Sequence, residues 1–456
     1  MNETKELAEF ITRTRYDDLS DEVIDKAKSL VLEQLGCQLA FATLPWSKAV
    51  YKYIRDRKGG REESTVVNYG LKTTAEDATF ANATFSHGFE MDDDEPHSVS
   101  HPGCVIIPPA LAIGEMEMIS GKEFLTAAVV GYEVMLRIGV ATRSMLNRGF
   151  HTTAVLGTFG SAAATSKVLG LNTDTVVNAL AIAASESSGL GEYSETGGSV
   201  KRLHAGFAAQ AGVRAVFLAQ RGLTGPPTAL EGKKGFCQAF ADEYSLNEIT
   251  AGLGKEFRIL WVGNKPYCCC AAQHSTIDAV SKMIEAHIIK SEDIEKITVG
   301  QIPRDVRAVG NIVEPRDITS AQFSGRFGIA LRLIKNGNQF KDYSEENLQD
   351  PEIISLAKRI EYVVDEELEK LPIDSIPTKV TIRLKDGTIY KERVDYAKGT
   401  IQNPMTKEEL QDKFRGLASM VMSSNRVENI IQTIGELEAL DNVRRLGLLL
   451  IAGGDG

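Results

Sequence analysis

The sequence predicts a mainly α protein: a large helical domain built from both ends of the chain, with a smaller α+β domain inserted between them. Three observations predict it. Apolar residues recur at helical spacing through much of the first 262 residues, the clearest alternating pattern is confined to 377–394, and helical spacing returns at Lys407 and runs to about Ile451. The resulting boundaries are 1–262 for the first part of the helical domain, 263–400 for the inserted α+β domain and 401–456 for the return.

The elements follow in order. Ser20 is an N-cap, with Asp21 and Glu22 at the positive end of the helix dipole and Val23, Ala27, Leu30 and Val31 on one helical face. Gly121–Thr142 and Ala162–Ala183 read as further helices, rich enough in Ala and Gly for their axes to approach closely. Asp293–Val299 is a candidate strand. Asp350 and Pro351 mark N-cap and N1 of a helix with Ile353, Leu356, Ile360 and Val363 on one face. In 377–394, Val380, Ile382 and Leu384 alternate with polar residues, and Asp386-Gly387 predicts a two-residue hairpin turn. The last four residues, Gly453–Gly456, read as a frayed tail.

Composition excludes several classes. With 43% hydrophobic and 25% charged residues the chain is an ordinary globular one, long enough to bury a core without disulfides. A net charge of −11 with no basic run argues against nucleic acid. Six cysteines in 456 residues suit reduced thiols. The longest uncharged stretch, Gly149–Ser166, is too rich in Gly, Ala, Thr and Ser to span a membrane, and the N-terminus lacks an apolar leader. The cytoplasm is the expected location. Gly189-Leu190-Gly191 lacks the third glycine of a dinucleotide loop. Asp92–Glu95 lacks the spacing of a calcium loop, and Cys268-Cys269-Cys270 lacks a second cysteine pair for a metal. No metal or cofactor is expected.

Six of the seven histidines (His87, His97, His101, His151, His204 and His274) sit in segments punctuated by Gly, Pro, Ser or Thr, where catalytic groups concentrate. The segments at 87–103, 148–160, 199–206 and 263–274 add carboxylates, Lys201 and Lys265, and 321–328 adds Arg326. Brought together they form a pocket for a small polycarboxylic acid, with cations neutralising its carboxylates and His or Glu moving a proton at the neighbouring carbon.

The segments HGFEMDDDEPHSVSHPG, RGFHTTAVLGTFGSAAA, KRLHAGFAAQAGVRAVFLAQRGLTGP, Glu231-Gly232 to Gly235-Phe236, NKPYCCCAAQH and AQFSGRFG resemble, in order and over nearly the whole chain, the MmgE/PrpD family. The resemblance implies a helical domain closed by an α+β lid, a homodimer, and cofactor-independent proton chemistry beside a carboxylate. Family activities are 2-methylcitrate dehydration, iminodisuccinate epimerisation and cis-aconitate decarboxylation, in that order of preference here. A carboxylate-binding module without the reaction is the non-enzyme alternative. The family's functional positions fall on Glu90 (with Asp92 or Asp93 as neighbours able to take its role), His101, His151, Lys201 and Lys265 as catalytic residues. His97, His204 and His274 are expected to bind substrate. In the family's A-Q-F-S-x-x-Y pattern, Phe327 replaces the tyrosine and Arg326 precedes it as a fixed cation able to clamp a carboxylate. The Phe327 replacement and the Cys268-Cys269-Cys270 run after the K-P-Y step both point to a substrate other than cis-aconitate.

Overall fold

The computed structural model describes residues 2–57 and 60–453. Helices come first: α1 Glu3–Arg13, α2 Asp21–Phe41, α3 Pro45–Asp56, α4 Ala75–Ser86, α5 Gly103–Glu117, α6 Gly121–Ala141, α7 Thr152–Val168, α8 Thr173–Glu186, the single turn α9 Tyr193–Thr196, and α10 Val200–Gln220. A two-stranded ribbon, β1 Ser64–Thr65 with β2 Lys72–Thr73, interrupts them between α3 and α4. The short helices α11 Phe236–Phe240 and α12 Asn247–Thr250 follow. Then come α13 His274–Ala286, β3 Ile294–Gln301, α14 Pro303–Val309, α15 Ile318–Gln322, α16 Gly325–Lys335, α17 Glu345–Leu348, α18 Pro351–Ala357, β4 Ile360–Val364, β5 Thr378–Leu384 and β6 Ile389–Val394. The chain closes with α19 Lys407–Ala418, α20 Ser424–Gly435 and α21 Arg444–Leu449.

Small residues let the central helices meet closely, as their composition predicts. α7 packs against α5, α6, α8 and α10. A Cβ on Gly212 of α10 would come within 2.5 Å of the Ser161 Cβ on α7. α6 is long and apolar enough to cross a membrane, yet it is almost wholly buried inside the fold as a core helix. Its Ser120 and Glu123 form the capping box that starts it. α19, α20 and α21 return to this core: Phe414, Val427, Ile430 and Leu446 pack with the residues of α2 and α5.

The second core lies on the sheet, whose strand order is β4-β3-β5-β6, with β3–β4 parallel and the other pairs antiparallel. Ile297, Val299, Val380 and Ile382 face α13 and α16, and Phe41, Phe89 and Met91 from the first half of the chain join the same cluster.

Three elements differ from expectation. The helix read over Ala162–Ala183 is two helices, because Gly170 adopts φ +59 and Asn172 then caps α8. The helix begun at Asp350 stops at Ala357, and Ile360 and Val363 belong to β4 instead. The edge of β3 captures that β-branched run, and Ile360 is buried there. The hairpin turn has three residues, not two: Leu384 N–H bonds Thr388 O at 2.8 Å and Gly387 takes φ +89 at the bulge position. Of the expected tail, Gly454–Gly456 lie outside the described residues.

Candidate active site

A cavity of about 730 Å³ opens between the helical core and the sheet side of the molecule. The 87–103 segment supplies Glu90, Asp94 and His101 to its wall, the start of α7 supplies His151, the start of α10 supplies Lys201, and the segment before α13 supplies Lys265. Those five sequence-selected residues (Glu90, His101, His151, Lys201 and Lys265) therefore meet in one place, although 175 residues of chain separate Glu90 from Lys265.

Glu90 is the electrostatic hub. Its carboxylate accepts hydrogen bonds from Lys201 Nζ and from Arg202 (2.5 Å), and Lys265 Nζ lies 3.7 Å away. All four side chains are buried. Lys201 and Arg202 occupy the first turn of α10, where the helix dipole disfavours cations, and the Glu90 carboxylate offsets that penalty. Burial would raise the Glu90 carboxyl, but Lys201, Arg202 and Lys265 outweigh it and hold it well below the usual carboxylate range. Burial lowers Lys201 despite Glu90. At Lys265 burial is overcome by Glu90, Asp92 and Asp94, which keep the ammonium charged. Glu90 itself sits at φ +56, a conformation that costs a non-glycine residue about 1 kcal/mol or more and is held here by its three cations.

The cavity histidines are neutral. Burial, then Lys265, pushes His101 down to about 3, and burial, then Lys201, holds His151 well below its ordinary range. His101 Nδ1 is 2.7 Å from Asp93 O. A carbonyl only accepts, so Nδ1 carries the proton and Nε2 is the free base. His151 N-caps α7 and shares a 2.9 Å Nδ1–Nδ1 hydrogen bond with His204. Asp94 is pushed up to about 6 by burial, with Glu95 and Asp92 adding to it, so it holds a proton over part of the neutral range. The wall thus combines fixed cations, proton acceptors and one proton-bearing carboxyl.

Other expected residues fall elsewhere. Asp93 is not among the cavity-lining residues: its two oxygens accept from Gly103 N–H (3.0 Å), Gln34 (3.1 Å) and Tyr132 (2.7 Å), which locks the start of α5. His97 bonds Glu95 at 2.7 Å and lies against Trp261. His204 lies behind the cavity wall, bonded to His151 and edge-on to Tyr193. His274 lines a small adjoining cavity with Lys265, and its Nε2 donates to Cys269 O at 3.3 Å. Arg326 does not reach the cavity: its guanidinium is taken by Gly310 O (3.1 Å) and Ile360 O (2.5 Å), tying α16 to β4. Phe327 is buried in the second core near Tyr343. The departure at Phe327 therefore removes no hydroxyl from the cavity wall.

The structure also adds residues that sequence reasoning did not select. Tyr193 packs edge-on against His151 and lies under Lys201. Arg304 comes to the cavity from α14, paired with Asp305 at 2.7 Å. No motif marked either. Arg202 stood inside a quoted motif and went unassigned. Cys270 lines the cavity, whereas the other five cysteines are buried.

A mainly helical protein with a cavity walled by buried cations and neutral histidines is the class that fold and site define. The chain belongs to the MmgE/PrpD family: the family's N-terminal domain matches residues 5–249 and its C-terminal domain 267–439. Among its relatives are cis-aconitate decarboxylase of Aspergillus terreus (strain NIH 2624 / FGSC A1156), 29% identical over 98% of this chain and 95% of that protein, and cis-aconitate decarboxylase of Mus musculus, 28% identical over 98% and 93%. Mitochondrial 2-methylcitrate dehydratase of Yarrowia lipolytica (strain CLIB 122 / E 150) is 24% identical over 66% of this chain and 61% of its own length. The protein is an enzyme of this family, and these relatives are lyases.

Proposed function

We propose that the protein is a lyase acting on a small di- or tricarboxylic acid by proton transfer at the carbon beside a carboxylate, with dehydration of a 2-methylcitrate-like hydroxy acid as the first reading. One observation carries the substrate class. The Lys265 ammonium is 1% exposed, makes no hydrogen bond among the described residues, and lines the cavity. A buried ammonium without acceptors is costly, and a substrate carboxylate supplies them.

The reaction follows from the wall. Lys265 and Lys201 hold carboxylates and stabilise the enediolate-like charge. His101 Nε2 or His151 takes the α-proton, the C–C double bond forms, and the β-hydroxyl leaves as water with the proton of Asp94. Two neutral bases beside a carboxyl that can carry a proton near pH 6 suit dehydration. Decarboxylation is the second reading, favoured by the relatives that match over 98% of this chain. There the bond to CO₂ breaks and an acid returns a proton to carbon. In either case residues 263–400 act as a lid, bringing Lys265 and Arg304 to the substrate. We further propose a cytoplasmic homodimer that works with its own side chains and binds neither nucleic acid nor membrane.

Proton NMR in D₂O with citrate, 2-methylcitrate, cis-aconitate, malate and aspartate tests the reading. A new vinyl signal from a hydroxy acid supports dehydration, and CO₂ loss from cis-aconitate supports the second reading. Exchange of an α-proton without net product indicates an epimerase. Binding without turnover across the panel overturns the lyase assignment.

A further inference from the structure

Behind the cavity lies a buried pair that the proposed reaction does not use. His87 and Asp92 are both 0% exposed. His87 follows α4 as its C-cap, and its Nδ1 lies 2.6 Å from Asp92 Oδ2. Its ring lies 5.3 Å from the His101 ring and 5.7 Å from the His151 ring. The two cavity histidines thus share one neighbour. His87 Nε2 and Asp92 Oδ1 have no hydrogen-bond partner among the described residues. Two buried polar atoms left open beside a reacting site call for an explanation beyond packing.

We infer that the His87–Asp92 pair is a positioning dyad for the proton-transfer histidines: the His87 ring, oriented by Asp92, packs beside the His101 and His151 rings, and the Asp92 carboxylate favours the imidazolium formed when His101 takes a proton. The inference rests on the reading of His101 and His151 as proton carriers. Asp92 is held far below the usual carboxylate range by His87 and His101 against burial, so it is anionic throughout the neutral range. Around His101 the other charged or titratable groups are Lys265, Lys201, Asp94 (3.5 Å), His87 and His151. The lysines oppose a positive imidazole, Asp94 is largely neutralised below about 6, and Asp92 is the carboxylate that stays charged. His87 bonds it through Nδ1–H, as a carboxylate-bound histidine does when its tautomer is held. Cys104 lies within 4.8 Å of both partners, but its Sγ bonds His101 O (3.1 Å) and burial with Asp92 and Asp93 keeps it a thiol.

Asp92→Asn tests this, because it keeps the shape and can still accept from His87 Nδ1–H while losing the charge. His87→Asn is the second variant, retaining a donor to Asp92 while removing the ring between His101 and His151. With cis-aconitate and 2-methylcitrate as probes, both variants should keep KM within about threefold and lose at least about 30-fold in kcat, a loss within the range of general acid–base contributions. The solvent deuterium isotope effect on kcat should rise as proton transfer becomes limiting. ¹⁵N-histidine NMR of the resting enzyme reads the same point without turnover: in Asp92→Asn the ring nitrogens of His101 and His151 should shift. Unchanged kcat in a folded Asp92→Asn protein overturns the inference, as do unshifted histidine signals. A wild-type enzyme inert on the whole panel, with histidine shifts as expected, overturns the functional reading and leaves the dyad standing.

Discussion

Lys265→Met separates the two roles an interior lysine can have. The substitution keeps a long unbranched side chain and removes the ammonium. The largest attraction lost is that to Glu90 at 3.7 Å, about 4–5 kcal/mol at an effective dielectric of ~20, with smaller losses to Asp92 and Asp94. The desolvation penalty relieved is also several kcal/mol. Glu90 keeps Lys201 and Arg202, so no carboxylate is stranded. Stability should therefore change by no more than about 1 kcal/mol. Ligand binding should suffer far more. One charge-assisted hydrogen bond is worth ~1.5–3 kcal/mol, which corresponds to a loss of about 10- to 150-fold in affinity. Urea denaturation measures the first quantity, and calorimetric titration with tricarballylate, an unreactive tricarboxylate, measures the second. A stability loss of about 3 kcal/mol or more with affinity within twofold would refute the reasoning and make Lys265 a structural cation.

Other outcomes follow from the same geometry. Arg304→Gln should weaken tricarboxylate binding about tenfold, one charge-assisted contact, and leave dicarboxylates within threefold; equal effects on both, by titration, would count against a third carboxylate contact at Arg304. Phe327→Tyr should leave kcat unchanged and cost ~1–3 kcal/mol, because the added hydroxyl enters an apolar core; a change in kcat at unchanged stability would return this position to the site. His274 is pushed down to about 3 by burial and then by Lys265, so between there and 6.5 the unfolded chain binds a proton that the folded one refuses. Its contribution to stability is present above pH 6.5 and lost as pH falls, at about 1.4 kcal/mol per unit. His274→Gln should thus lose ~2 kcal/mol less than wild type between pH 7 and pH 5 by urea denaturation; equal losses would refute the assignment.

Much of the cavity wall was legible because its residues sit in glycine-rich punctuation at element starts. His151 precedes α7, Lys201 opens α10, and Glu90 and His101 lie in the segment between α4 and α5. What a one-dimensional pattern cannot carry is direction. Arg326 and Phe327 lie in as promising a motif as any, yet the Ser324-capped turn of α16 sends Arg326 to backbone carbonyls of the sheet side and Phe327 into its core. Asp93 and Asp92 are adjacent, and one caps α5 while the other bonds His87. Arg304 and Tyr193 were invisible because their importance comes from packing between distant segments. The fold shows the same limit: spacing found the helices, but the turn at Gly170 and the capture of Ile360 by β3 depend on a left-handed backbone and an unpaired strand edge.

One contact has a temporal consequence. Lys413 of α19 bonds Glu33, Met91 O (2.7 Å) and Lys265 O (2.8 Å), clasping the backbones on which Glu90 and Lys265 stand. It lies 148 residues after Lys265 and 322 after Met91. During synthesis the helices that precede the cavity can assemble early, but this clasp must wait until α19 has been made. The emerging chain thus carries the site's acids and cations through the synthesis of 148 further residues before the clasp on Lys265 can form.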